Sequence, residues 1–124
     1  MSLLEDVRSK LSSAGVLSGG YLCFIGYVPD DQDKIIGLIF SGGEPQDTLE
    51  GENVIQHFQV KVRAGRLDFA ACETKWQAAF NALQDATITD VYLIQAMATG
   101  PLTWYEEKQR PCMSLNMRVI RDKP

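Results

Sequence analysis

The chain has 124 residues, 45% of them apolar and 23% charged, with 12 basic and 16 acidic side chains for a net charge of −4. Length and composition fit one domain, residues 1–124, with a radius of gyration of about 14 Å. They exclude a disordered tail, a collagen-like fibre and a disulfide miniprotein. The acidic balance argues against tight, unassisted nucleic-acid binding, which needs a basic footprint. No run approaches the ~20 apolar residues of a membrane span, so no membrane partner is expected.

At the N-terminus, Ser2-Leu3-Leu4-Glu5 reads as a capping box, with Leu4, Val7 and Leu11 at helical spacing behind it. Gly15 supplies a left-handed stop. Glu5 and Asp6 follow Leu3 and Leu4 at once and leave no apolar core for a signal peptide.

Tyr21 to Tyr27 (YLCFIGY) and Ile35 to Phe40 (IIGLIF) are strand candidates, joined by the acidic turn Val28 to Lys34. Neither strand alternates with polar residues, and continuous apolar strands are usually covered on both faces. A polar loop follows from Ser41 to about Asn53, opened by Gly42-Gly43 and Pro45. Val54 to Arg63 alternates instead. Phe58, Val60 and Val62 form one row, and His57, Gln59, Lys61 and Arg63 the other, as in a half-buried strand.

Asp68 caps the next helix, whose stripe is Phe69, Cys72, Trp76, Phe80 and Leu83. Thr87-Ile88-Thr89 helps to stop it. Val91 to Met97 is a fourth strand. Leu102 to Glu106 and Cys112 to Ile120 are two more, joined by the charged loop Glu107 to Pro111. The order helix, strands, helix, strands predicts an α+β fold: a mostly antiparallel sheet of five or six strands with two helices packed on one face.

That arrangement leaves the second face of the two apolar strands bare. Either the 102–120 hairpin folds over it or another copy of the chain covers it. Burial of Tyr21, Ile25 and Tyr27 against a second copy would contribute about 1.5–3 kcal/mol per side chain before the costs of association. This predicts an oligomer.

Few residues suggest chemistry. His57 is the only histidine, and it sits on a polar strand row without a nucleophile in motif distance. Cys23, Cys72 and Cys112 are widely spaced, contain no C-x-x-C pair, and read as reduced thiols. Asp30-Asp31-Gln32-Asp33 fails the calcium-loop template, because Ile36 and Gly42 stand where glycine and glutamate are needed. Ser41-Gly42-Gly43 and Arg63-Ala64-Gly65-Arg66 lack phosphate-loop spacing. The expectation is no catalytic residue, no metal and no cofactor.

Charge is unevenly spread. Between Asp30 and Glu52 stand Asp30, Asp31, Asp33, Glu44, Asp47, Glu50 and Glu52 against Lys34 alone. Lys61, Arg63, Arg66 and the 118–123 tail are basic. These are either solvated loops and a polar strand face, or an acidic loop that meets the basic row of a neighbouring copy, head to tail. Trp104 and Tyr105, beside the charged loop, are either core seals or interface anchors. The interface candidates are therefore Tyr27, Pro29, Asp30, Asp31, Asp33, Glu44, Lys61, Arg63, Arg66, Trp104 and Tyr105.

The run Phe24-Ile25-Gly26-Tyr27-Val28-Pro29-Asp30, then Ile35 to Phe40, then Ser41-Gly42-Gly43-Glu44-Pro45, resembles the front half of the phage minor capsid and tail-terminator proteins. The resemblance continues through Phe58 to Gly65 and Met117 to Arg121. One departure is Gln46, where the family pattern often has a second proline. The resemblance implies a non-enzymatic virion protein of tailed bacteriophages, made in the host cytoplasm. It implies a homohexameric ring that caps the tail tube and joins it to head–tail connector proteins. The implied partners are other copies of the chain, the tube protein and the connector. Genome DNA would pass through the lumen without sequence-specific binding. The alternatives are a neck or head-completion protein of the same assembly, and a small cellular ligand-binding domain.

Overall fold

The computed structural model describes residues 2–44 and 53–122. The first helix, α1 (Leu3–Ser13), is followed by β1 (Leu22–Ile25), β2 (Ile35–Gly43) and β3 (Asn53–Arg63). Then come α2 (Phe69–Leu83), β4 (Val91–Ala96), β5 (Leu102–Glu106) and, after a short 3-10 turn, β6 (Arg110–Asp122). The six-stranded sheet has the order β1-β2-β3-β6-β4, with β5 pairing β6 beside β4. All pairings are antiparallel except β1 with β2. The fold is α+β, with both helices on one face, as the sequence order predicts.

Local chemistry explains the helix ends. The Ser2 hydroxyl accepts from the Glu5 amide at 3.3 Å and donates to the Glu5 carboxylate at 3.1 Å. The cap is thus closed through one hydroxyl, and the reciprocal bond to the Ser2 amide is not the one formed. Gly15 stops α1 at φ 77°. Asp68 accepts from the Ala71 amide and caps α2.

Leu4, Val7 and Leu11 of α1, and Cys72, Trp76, Ala79 and Leu83 of α2, are buried against the sheet. The α2 stripe is shifted from the expected one: Ala79 is buried, whereas Phe69 is 41% exposed. The inner sheet face consists of Ile36 and Leu38, Phe58, Val60 and Val62, and Met113, Leu115, Met117 and Val119.

Two strand limits differ from the sequence pattern. Gly42 and Gly43 continue β2 through a bulge after Phe40 and do not open the loop. The remainder of the expected 41–53 loop, residues 45–52, lies outside the described residues. The last strand is longer than expected, because Arg110, Pro111, Arg121 and Asp122 extend the pairing with β5, β4 and β3.

The second sheet face is covered in a way the sequence pattern did not anticipate. A parallel pair needs a crossover, usually about a dozen residues or more. Here residues 26–34 make that crossing and lie over the outer face of the sheet. Val28 packs so close to Gly37 that a Cβ there would sit 2.6 Å from a Val28 methyl. Ile35 is fully buried outside the helix-side core. The cover over β2 is therefore neither the 102–120 hairpin nor a second copy. Tyr21 is buried within the chain itself and Ile25 packs on its core, while Tyr27 is 60% exposed.

Candidate functional site: the outer sheet face and its edges

Strand alternation turns His57, Gln59, Lys61 and Arg63 of β3 away from the helices. Their register partners on β6 are Arg118, Asn116, Ser114 and Cys112. Beyond them, Leu102 lies level with Ser114 and Trp104 with Cys112. The result is a polar band crossing the outer face of the sheet.

At one end of the band, Glu106 accepts from Lys61 at 2.6 Å and from Arg63 at 3.1 Å. Lys61 also lies over the Trp104 ring, 5.7 Å from its centroid. The other nitrogens of Arg63 donate to the carbonyls of Pro29, Gln32 and Asp33. Arg110 donates to the carbonyls of Asp30 and Gln32 and pairs with the Asp33 carboxylate at 3.4 Å. Two buried arginines thus clamp the 26–34 crossing from beneath.

Of the two readings of the charge pattern, the head-to-tail contact loses Arg63. The 29–33 stretch of the acidic segment meets Arg63 and Arg110 within one subunit, mainly through its backbone carbonyls. Arg63 is 1% exposed and fully engaged within its own chain, so it presents no charge to a neighbour. Lys61 is partly buried, its side chain 16% exposed, whereas Arg66 is exposed.

At the other end, the Glu44 carboxylate accepts from Arg118 at 2.7 Å and lies 3.2 Å from His57 Nε2. The bond from Arg118, then that from His57, holds the Glu44 carboxyl below the ordinary range. Between the two clusters, Gln59 donates to Asn116 at 3.3 Å.

Burial pushes the Glu106 carboxyl up, but the hydrogen bonds from Lys61 and Arg63 and the charge of Lys61 outweigh it and hold the group at about 2. A carboxyl depressed on folding contributes stability that is fully present above its unfolded value, near 4.5. That contribution disappears as pH falls from there toward 2. Acid titration of unfolding free energy is expected to fall more steeply between pH 4.5 and 2 in the wild type than in Glu106→Gln. Parallel curves would show that the ion pairs contribute nothing to stability.

The three thiols are poor nucleophiles. Burial pushes Cys23 and Cys72 to about 11 and Cys112 to about 12, so all are protonated at neutral pH. Among the described residues, no three His, Cys, Asp or Glu side chains converge as a metal site would require. None of the described helices is long and apolar enough to cross a membrane. A concavity of about 550 Å³ is an open groove between α2 and the 99–101 turn, lined by Trp76, Gln77 and Pro101 among others. It is remote from His57.

The remaining candidates divide by place. Tyr27 stacks edge-on against Phe24 at 5.4 Å, outside β1. Pro29, Asp30, Asp31 and Asp33 belong to the crossing, where Asp30, Asp31 and Asp33 are exposed. Trp104 is half-buried on the outer face, while Tyr105, 51% exposed, points to the other side of β5. Arg110 and Leu102 were missed by sequence reasoning. A lone arginine in a charged turn and a leucine after Gly-Pro carry no local signal of a clamp or an edge.

No protein-family model matches the chain, and no curated protein matches it in sequence. Its fold is similar to a chain from the solved structure of the virion of a native gene transfer agent (GTA) particle. The TM-score is 0.68 at 14% identity, over 98% of this chain and 96% of that one.

Proposed function

We propose that this chain is a structural subunit of a phage-like virion, and that it forms a homo-oligomeric ring closing the tail tube beneath the head–tail connector. The observation that carries the reading is the end-to-end fold likeness to a virion chain. The order of short motifs resembling the tail-terminator proteins agrees with it. The chemistry of the chain also supports an assembly role over turnover, since its thiols are protonated and the groove beside α2 is not lined by the histidine.

The outer face suits a conduit. Its cations Lys61, Arg63 and Arg118 are each paired with a carboxylate of the same chain. A lumen lined this way presents little unbalanced positive charge, so duplex DNA slides without being held by its phosphates. Interface work falls to exposed groups: Tyr27, Asp30, Asp31, Arg66 and Tyr105.

Size-exclusion chromatography with light scattering tests the ring. Six copies of the 13.8 kDa chain give about 83 kDa. Addition of that species to growing tail tubes should stop elongation. A strict monomer at every concentration, or tubes that lengthen unchecked, would overturn the reading.

A further inference from the structure

We propose that copies of this chain join sheet edge to sheet edge, the β1 edge of one pairing antiparallel with the β5 edge of the next. The inference rests on the ring reading above and supplies its contact.

Both edges are open among the described residues. β1 pairs only with β2, and β5 only with β6. The Leu22 and Gly26 amides donate to Lys34 and Leu38. The amides of Cys23 and Ile25, at the intervening strand positions, therefore point away from β2, toward the open side. An unprotected strand edge is a template for another chain.

Strand direction selects a head-to-tail contact. β1 runs with β2, and each step from β2 through β3 and β6 to β5 reverses direction. β1 and β5 therefore run oppositely. Rotation about an axis along the strands preserves direction, so the two edges meet as an antiparallel pair. Such a contact joins two different surfaces, the head-to-tail geometry that generates a ring when its rotation closes.

The register also matches. Leu22 is level with Ile35, Arg63, Cys112 and Trp104 across the sheet. Phe24 is level with Gly37, Lys61, Ser114 and Leu102. In a level ring, Leu22 meets Trp104 and Phe24 meets Leu102, all on the outer face. Leu22 is 49% exposed and Leu102 70%, which is apolar surface that this contact would bury. Charge agrees at the same end of both strands, where exposed Lys34 stands beside β1 and exposed Glu107 follows β5.

The test is a cross-edge disulfide in full-length protein. In a Cys23→Ser background, Phe24→Cys combined with Leu102→Cys should oxidise to a reducible ladder ending at the ring. Each cysteine alone should give no ladder. As an independent measure, Leu102→Asp should raise the half-assembly concentration at least about tenfold, or ~1.4 kcal/mol, with an unchanged urea midpoint for the subunit. A multimer that forms without cross-linking and ignores Leu102→Asp overturns the edge contact and leaves the ring intact. Dimers from either single cysteine indicate like-edge pairing and also overturn it. Monomers throughout overturn the ring and the edge contact together.

Discussion

Replacing Arg63 with methionine is expected to destabilise the subunit by about 3–5 kcal/mol, the range for removing one partner of a buried ion pair. Methionine fills the volume but takes the donor from the carbonyls of Pro29 and Asp33, and leaves the Glu106 carboxylate to Lys61 and the Gln32 carbonyl to Arg110. Each orphaned acceptor costs about 1–3 kcal/mol if it stays dry. The loop can instead lift to reach water, exposing Ile35 and the Val28–Gly37 contact. Arg63→Lys should recover only part of the loss, since an ammonium cannot span the fork that serves a carboxylate and three carbonyls. Urea unfolding reads the free energy, and hydrogen exchange over residues 26–34 shows whether the crossing opens first. A loss below about 1 kcal/mol would mean that the crossing is held by packing alone. The same result changes how a charge reversal is interpreted. Arg63→Glu would damage the subunit before any interface, whereas Arg66, being exposed, can report on assembly.

The sequence disclosed the elements better than their covering. Alternation in Phe58 to Arg63 assigned both faces of β3 correctly, because one face of that strand meets helices and the other polar groups. Ser2, Gly15 and Asp68 marked helix ends through local hydrogen bonding and backbone geometry, which are properties of neighbouring residues. The parallel pairing of β1 with β2 was hidden. A short acidic turn between two apolar runs ordinarily reads as a hairpin, and only the arginines contributed by β3 and β6 make the crossing stable. Arg63 was placed on the right face and given the wrong environment for the same reason. Its partners lie thirty or more positions away along the chain, where local pattern has no reach. The surplus apolar surface was also read correctly in part. It is covered over β2 by the chain's own loop, and remains open at Leu22, Tyr27 and Leu102, at the two sides of the sheet.

Truncating Trp76 to alanine should cost about 3–5 kcal/mol, the usual range for deleting a buried tryptophan. The side chain is 2% exposed and packs against Phe80 with ring centroids 5.5 Å apart. Its polar atom matters as well as its bulk. The outer edge of β6 is paired by β5 as far as Ser114 and by β4 from Met117 onward. Trp76 Nε1 donates to the Ser114 carbonyl at 2.9 Å, where one ladder ends before the other begins. On the neighbouring strand, Gln84 at the end of α2 accepts from the Ala96 amide at 2.7 Å. Side chains of one helix thus complete the sheet at the fork between β4 and β5. Trp76→Phe keeps most of the packing and removes the donor, so it should lose about 1–3 kcal/mol from the orphaned carbonyl. Chemical unfolding of both variants separates the two contributions. If phenylalanine matches the wild type, the carbonyl finds water and the indole acts by volume alone. The fork also sets where the β5 edge stands relative to β1. Trp76→Phe should therefore weaken ring closure at a denaturant concentration where the subunit remains folded. Light scattering there reads the ring, and far-UV circular dichroism confirms the fold. Undiminished ring mass in that variant would separate the position of β5 from assembly.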